Sequence, residues 1–218
     1  MEYSIKTIES IGPYRIVKLI PEKENLDYKA GQFVRLTNIE GVGRPYSIAA
    51  CPSFPYLEFI FHIVPGGQFT TYIAEKAKLG DKVEVSKAAG HFTYNGEKKA
   101  VFLAGGSGIA PVIGIIRHIV SNKIEGEFSV FYSNKDFSAP YLSELLSYSK
   151  AGLIKLYVTF TREDVSGFHN GRFTPEFIEK ETSLGGATLF ICGSMAMAKA
   201  FRDALKDKVE AVKIEAWG

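Results

Sequence analysis

The stretch Gly105-Gly106-Ser107-Gly108 constrains this chain more than any other. It follows a short apolar run at 100–104 and opens a run of helical periodicity at 109–120, with Pro111 in the first turn, where a helix tolerates it. A strand that ends in a tight glycine loop and passes directly into a helix is half of a strand–helix–strand unit. The rhythm then repeats. Strands are predicted at 128–132, 155–160, 188–191 and 212–215, and helices at 141–148, 175–180 and 195–205. Such alternation predicts a parallel sheet covered by helices on both faces, with ligands at the carboxyl ends of its strands. Gly106-Ser107-Gly108-Ile109-Ala110-Pro111 is close to a dinucleotide-binding fingerprint, with Pro in place of the third Gly.

The first ninety residues obey a different rule. Short runs at 3–8, 14–19, 33–37, 45–49, 57–63 and 82–85 are rich in β-branched and aromatic residues, and Gly-Pro, Pro-Glu and Pro-Ser separate them. Six such strands predict a small antiparallel barrel or sandwich. The boundary is expected near 90–98, where Gly90, Asn95 and Gly96 break the pattern, giving domains at 1–96 and 97–218. Within the first, residues 70–77 have helical character and follow Pro65-Gly66-Gly67. Thr70 or Thr71 is expected to cap that helix. A glycine pair before a helix start is the geometry that binds phosphate, although a plain turn and capped helix read the same way.

Arg44-Pro45-Tyr46-Ser47 carries a second hint. In an extended strand Arg44 and Tyr46 project from one face. A cation beside an aromatic plate suits a ligand with a phosphate at one end and a flat ring at the other. The Ser47 hydroxyl can hydrogen-bond a heteroatom on such a ring. An edge strand with an exposed Arg and a half-buried Tyr has the same pattern.

Bulk properties exclude several classes. A net charge of +2 over 218 residues gives no nucleic-acid footprint. No apolar run reaches the roughly 18 residues of a membrane span, and the N-terminus has no secretory core, so a cytoplasmic location is expected. The two cysteines, Cys51 and Cys192, cannot supply the four thiolates of a cysteine-ligated iron–sulfur cluster. His62, His91, His118 and His169 show no paired ligand spacing, so no metal site is expected.

Three further strand ends carry polar or small residues. Thr161-Arg162 has the hydroxyl and guanidinium of a ribose 2′-phosphate site, which favours NADP. Asp136, in Ser133-Asn134-Lys135-Asp136, has the carboxylate that would bind a free 2′-hydroxyl and favour NAD; solvated loop charges fit equally. Cys192-Gly193-Ser194-Met195 allows a close approach to a ligand, or a Cys that is simply a small buried hydrophobe. Trp217, the lone Trp, reads as a core plug, a loose aromatic or a lid on a flat cofactor.

Arg44-Pro45-Tyr46-Ser47, Gly66-Gly67 with Thr70, Gly105 to Pro111 and Cys192-Gly193-Ser194-Met195 occur in the order and spacing of one family. Over nearly its whole length the chain resembles the ferredoxin–NADP reductase superfamily. The resemblance implies a six-stranded antiparallel flavin-binding barrel followed by a Rossmann-like NAD(P)-binding parallel sheet. Arg44 would meet the flavin phosphates, Tyr46 would stack on the isoalloxazine, Ser47 would sit near its N5, and Pro45 would belong to the same FAD site. His62, Val64, Gly66, Gly67 and Thr70 would complete the FAD site, with Thr70 standing where Ser is usual. Gly105, Gly106, Gly108, Pro111, Gly193 and Met195 would hold the nicotinamide nucleotide, Thr161 and Arg162 its 2′-phosphate, and Cys192 would lie next to its nicotinamide. Ser47, Cys192 and Glu215 would be the catalytic residues, and Trp217 would cover the flavin. The implied activity is an FAD-dependent oxidoreductase that takes hydride from NADPH or NADH, NADPH favoured. Its electrons would pass to a separate one-electron acceptor such as ferredoxin or an oxygenase component. A flavin reductase using flavin as a diffusible substrate and a non-enzymatic electron-transfer subunit are the alternatives. The Gly66-Gly67-Thr70 site argues for retained FAD.

Overall fold

The computed structural model describes residues 1–217, with only the backbone at Trp217. Its first half is one antiparallel sheet built from β1 (Glu2–Ile11), β2 (Tyr14–Pro21), β3 (Phe33–Thr37), β4 (Gly43–Ser47), β5 (Leu57–His62) and β6 (Lys82–Val85). The strand order is β4-β3-β6-β1-β2-β5. The two end strands converge where Ala49, just past β4, donates its N–H to the Glu58 carbonyl in β5 at 2.8 Å, so the sheet curls into the expected barrel. Alternation sets the inner face: Val34 and Leu36 are buried while Arg35 between them is exposed. Between β5 and β6 lies α1 (Gln68–Thr71), which widens into a π turn over Tyr72–Lys76.

That segment corrects one expectation. Neither Thr70 nor Thr71 caps the helix. Gly67, with extended backbone at φ −74°, is the N-cap, and the Thr70 hydroxyl folds back inside the helix to the Gly67 carbonyl at 3.2 Å. Packing explains the shift. Phe69, Tyr72 and Ile73 all plug the barrel core, and they reach it together only if the turn starts at Gln68.

The second half is an all-parallel sheet in the order β10-β9-β8-β7-β11-β12. Along the chain it runs β7 (Lys99–Gly105), α2 (Ile109–Ser121), β8 (Glu127–Asn134), α3 (Leu142–Lys150) and β9 (Lys155–Phe160). It continues through β10 (His169–Asn170), α4 (Pro175–Glu181), β11 (Thr188–Ser194), α5 (Met195–Leu205) and β12 (Ala211–Trp217). β7 and β11 are covered on both faces and read as unbroken apolar runs. From β7 the chain builds outward through β8, β9 and β10, then returns to the other side of β7 for β11 and β12. The switch point therefore lies between β7 and β11, where loops diverge and leave a crevice. β10 escaped sequence reading because two residues show no periodicity. Among the described residues no helix is long and apolar enough to cross a membrane.

Candidate functional site

At the switch point β7 ends on Gly105, Gly106–Gly108 form one tight 3-10 turn, and α2 begins. Gly106 has φ +56°, which side chains other than glycine seldom adopt. Gly108 lies directly on the end of β11, where an added Cβ would collide with the Cys192 carbonyl. Pro111 is buried in the first turn of α2. Above this turn opens a cavity of about 830 Å³, a size suited to a cofactor. Gly105, Gly106 and Ser107 form its floor, and Ser133, Asn134, Lys135 and Thr161 line it from the ends of β8 and β9.

Two of its walls come from the barrel, Tyr14 without any sequence signal and His62 expected at the FAD site. Tyr14 and His62 reach in from the barrel, their rings 5.0 Å apart. The Tyr14 hydroxyl donates to Asn134 Oδ1 at 2.9 Å, joining β2 to β8, and stands 3.3 Å from where a Cβ on Gly106 would lie. Burial, reinforced by the Lys135 charge, lowers the His62 pKa. His62 thus faces the nucleotide cavity. Arg172, after β10, lines the cavity and Arg162 does not, although both are exposed. Met197 likewise stands where Met195 was expected: its Sδ lies 2.9 Å and 3.0 Å from the Cβ positions of Gly105 and Gly193, while the Met195 side chain is exposed. The sequence offers no signal separating these pairs: Met195 and Met197 share the first turn of α5, and Arg162 and Arg172 lie ten residues apart on either side of the two-residue β10.

The barrel side presents a different surface. Arg44 and Pro45 are exposed on β4, and the Arg44 guanidinium bonds its neighbour's carbonyl at Gly43. Among the described residues it has no carboxylate partner. Tyr46 is half-buried, its ring 4.6 Å from Phe61 and 5.2 Å from Phe69, and burial pushes its phenol pKa up to about 12. Phe69 belongs to α1, so these contacts seat the strand bearing Arg44 beside the Gly66-Gly67 turn. At Gly67 an added Cβ would strike the Thr70 hydroxyl; Gly66, at φ +77°, faces open space, as does exposed Val64. A guanidinium with no carboxylate partner among the described residues, a propped aromatic ring and a backbone stripped of side chains fit a flat ligand bearing phosphates.

The two surfaces meet at Ser47. Its hydroxyl donates to Glu215 Oε1, linking β4 of the barrel to β12 of the parallel sheet. Glu215 is buried, and that burial lifts its carboxyl pKa to about 7 against the lowering effect of the Ser47 bond. Its register neighbour on β11 is Cys192, fully buried, whose thiol pKa is raised by burial and then by Glu215. Ser47, Glu215 and Cys192 are therefore brought together, while the side chain of Trp217 lies outside the described residues.

A family model for the oxidoreductase FAD-binding domain matches residues 10–94, and one for the oxidoreductase NAD-binding domain matches residues 102–203. The chain belongs to the ferredoxin–NADP reductase superfamily. Among its superfamily relatives is the ferredoxin–NAD(P)+ reductase component of the naphthalene 1,2-dioxygenase/salicylate 5-hydroxylase systems of Ralstonia sp. The two are 27% identical over 182 residues, 80% of this chain and 55% of that protein. Phenol hydroxylase P5 protein of Acinetobacter pittii is 29% identical over 189 residues, 79% and 52% of the two chains. The chain spans about half the length of these curated relatives. A ferredoxin NADP+ reductase from Neisseria gonorrhoeae, solved with bound FAD and NADP, has the same fold. Its TM-score is 0.86 over 99% of this chain and 98% of that one, at 21% identity. This superfamily member thus carries an oxidoreductase FAD-binding domain and an oxidoreductase NAD-binding domain, and is similar to the reductase components of oxygenase systems.

Proposed function

We propose that the chain binds FAD on residues 1–96, accepts hydride from NADPH or NADH bound on residues 97–218, and passes electrons singly to a separate acceptor. The observation that carries this reading is the shared cavity. Barrel residues Tyr14 and His62 and parallel-sheet residues Gly105–Ser107 line one space, and Ser47–Glu215 locks the same two sheets together. Bound flavin would supply the chemistry, accepting two electrons together and releasing them one at a time.

The chain's own residues orient and neutralise. Arg44 and the side-chain-free backbone at Gly66-Gly67 hold phosphates, Tyr46 plates the ring, and Ser47 offers its hydroxyl to a ring heteroatom. Gly105, Gly106, Gly108 and Pro111 seat the nicotinamide nucleotide, with Cys192, Gly193 and Met197 walling its reactive end. Glu215 keeps a proton up to about pH 7 beside the Ser47 hydroxyl. NADPH is favoured because Lys135 and Arg172 line the cavity with Thr161, while Asp136 caps Ser138 N–H at 2.9 Å instead of lining it. The names of the relatives support an oxygenase component or a ferredoxin as acceptor.

Anaerobic mixing with NADPH and with NADH tests the reading. Purified protein is expected to be yellow and to bleach with either coenzyme, faster with NADPH. Colourless protein would favour the diffusible-flavin alternative, and coloured protein that neither coenzyme bleaches would sink the enzyme reading. Arg172→Ala is expected to raise the KM for NADPH by roughly tenfold, a loss of about 1.4 kcal/mol of charge-assisted binding, and to leave NADH nearly unchanged. Arg162→Ala, outside the cavity, is expected to alter neither. The opposite result in steady-state kinetics would return the 2′-phosphate to Arg162.

A further inference from the structure

The two sheets are also joined by a buried ionic cluster that the reading above does not use. Arg117, in α2, is 7% exposed. Its Nη1 donates to Glu58 Oε1 at 2.6 Å and to the Ala49 carbonyl at 2.9 Å, both in the barrel. Its Nε and Nη2 donate to the two carboxylate oxygens of Glu144 in α3, each at 2.8 Å. Glu58, 2% exposed, also accepts from the Tyr141 hydroxyl at 2.7 Å and faces Lys18 Nζ at 3.7 Å. The Arg117 guanidinium lies over the Tyr141 ring, 4.7 Å from its centroid.

Two independent features mark this cluster as a device for fixing position. One turn before Arg117, a Cβ on Gly114 would come within 2.7 Å of the Ile48 carbonyl and 3.2 Å of the Ala50 carbonyl. The α2 backbone thus lies directly on the segment that continues from Ser47. Tyr141 has φ +61°, a left-handed conformation that costs a residue with a side chain and persists only where its surroundings impose it. Here it delivers the hydroxyl to Glu58.

A buried ion cluster is a poor source of stability, since apolar side chains of similar volume generally serve as well. It does supply a fixed register. Apolar faces slide, but a planar guanidinium with bonds on both edges accepts its partners in one arrangement. α2 is a rigid rod, so the nucleotide loop at its start and Arg117, about 12 Å along it at 1.5 Å per residue, move together. At the other end Arg117 grips Ala49, two residues beyond Ser47.

We propose that Arg117 is a positioning residue that sets the distance between the nucleotide loop and the barrel strand Arg44–Ser47, and with it the approach of coenzyme to flavin. This rests on the function proposed above. The test is the double variant Glu58→Gln/Arg117→Met, which removes both buried charges and leaves Tyr141 an acceptor; Glu144, partly exposed, turns to water. It is expected to fold, retain flavin and keep the coenzyme concentration for half-maximal rate within about twofold. Flavin reduction at saturating NADPH is expected to fall tenfold or more (roughly, for a sub-ångström misplacement), with a weaker long-wavelength coenzyme–flavin absorbance. Amide exchange is expected to quicken over residues 44–51 and 105–112 and stay unchanged in β1 and β8. Unchanged rate, absorbance and exchange in the folded variant would overturn the proposal. If the double variant fails to fold, Tyr141→Phe, which keeps every charge, decides: a slower saturating rate supports the assignment and an unchanged one overturns it. If the parent protein is reduced by neither coenzyme, the function above fails instead. Exchange then still reads the clamp, quicker in the same two segments if Arg117 fixes them and unchanged if it does not.

Discussion

Glu215→Gln is expected to be more stable than the parent at pH 8 and indistinguishable from it near pH 4.5. In the folded chain the carboxyl holds its proton up to about pH 7, because burial outweighs the Ser47 hydrogen bond, whereas its ordinary value is 4.5. Between those two values the folded state binds more protons than the unfolded one, so parental stability falls as pH rises. The favourable contribution is complete below pH 4.5 and is lost on passing through pH 7. At 1.36 kcal/mol per unit the swing is about 3 kcal/mol, or roughly 6–12 °C in melting temperature for a chain of this size. Glutamine keeps an acceptor for Ser47 but never ionises, so the variant escapes this loss. The predicted cost is functional. Without a titrating group beside the Ser47 hydroxyl, turnover with a one-electron acceptor is expected to fall about a hundredfold and lose its inflection near pH 7. Ser47→Ala removes the bond that lowers the Glu215 pKa, so its inflection is expected above pH 7. Melting curves and acceptor-linked turnover from pH 4.5 to 8.5 check all three. Parallel stability curves for parent and Glu215→Gln would show that the carboxyl does not titrate in this range.

What the chain displays openly is what is encoded locally. The Gly105–Gly108 loop announces itself because an apolar strand, a glycine run and a helical period sit side by side, and each has a short-range physical signature. Arg44 and Tyr46 share a face because strand geometry fixes it over two residues. Long-range choices are silent. Arg117 reads as one more basic residue on an apolar helix; its partners Glu58 and Glu144 lie 59 and 27 residues away, and their pairing exists only once barrel and sheet dock. Tyr14 is an ordinary barrel residue until packing turns its ring, beside that of His62, toward the nucleotide loop. The helix near residue 70 was misplaced for a related reason. Local capping preference favours a threonine, but the demand to bury Phe69, Tyr72 and Ile73 together overrides it and moves the start to Gly67. Arg172 and not Arg162 stands on the cavity wall, and the two-residue β10 that lies between them has no periodicity to read.

Gly108→Ala should separate flavin binding from flavin reduction more sharply than any change to a side chain. Gly108 has ordinary helical backbone angles, φ −62° and ψ −6°, so alanine meets no conformational obstacle there. The obstacle is contact. The new methyl would collide with the Cys192 carbonyl, with the carbonyl carbon at 2.7 Å and the Gly193 nitrogen at 3.0 Å. All are backbone atoms of β11, a strand paired on both sides in the middle of the sheet, so they cannot turn aside. The loop must lift instead. Overpacking of this kind costs about 1–3 kcal/mol, which a folded chain of this size can absorb. The lift displaces the seat of the nicotinamide nucleotide while the barrel, with Arg44, Tyr46 and Gly67, is untouched. The variant is therefore expected to purify with its full flavin absorbance yet be reduced by NADPH roughly a hundredfold more slowly, the effect of a displacement of about 1 Å. Gly66→Ala is the control. That glycine faces open space at φ +77°, so the variant carries only local strain of about 1–2 kcal/mol and should reduce at a near-parental rate once flavin is bound. Anaerobic stopped-flow reduction of the two variants at matched flavin content gives the answer. Normal reduction of Gly108→Ala would mean that the coenzyme does not use the Gly105–Gly108 turn.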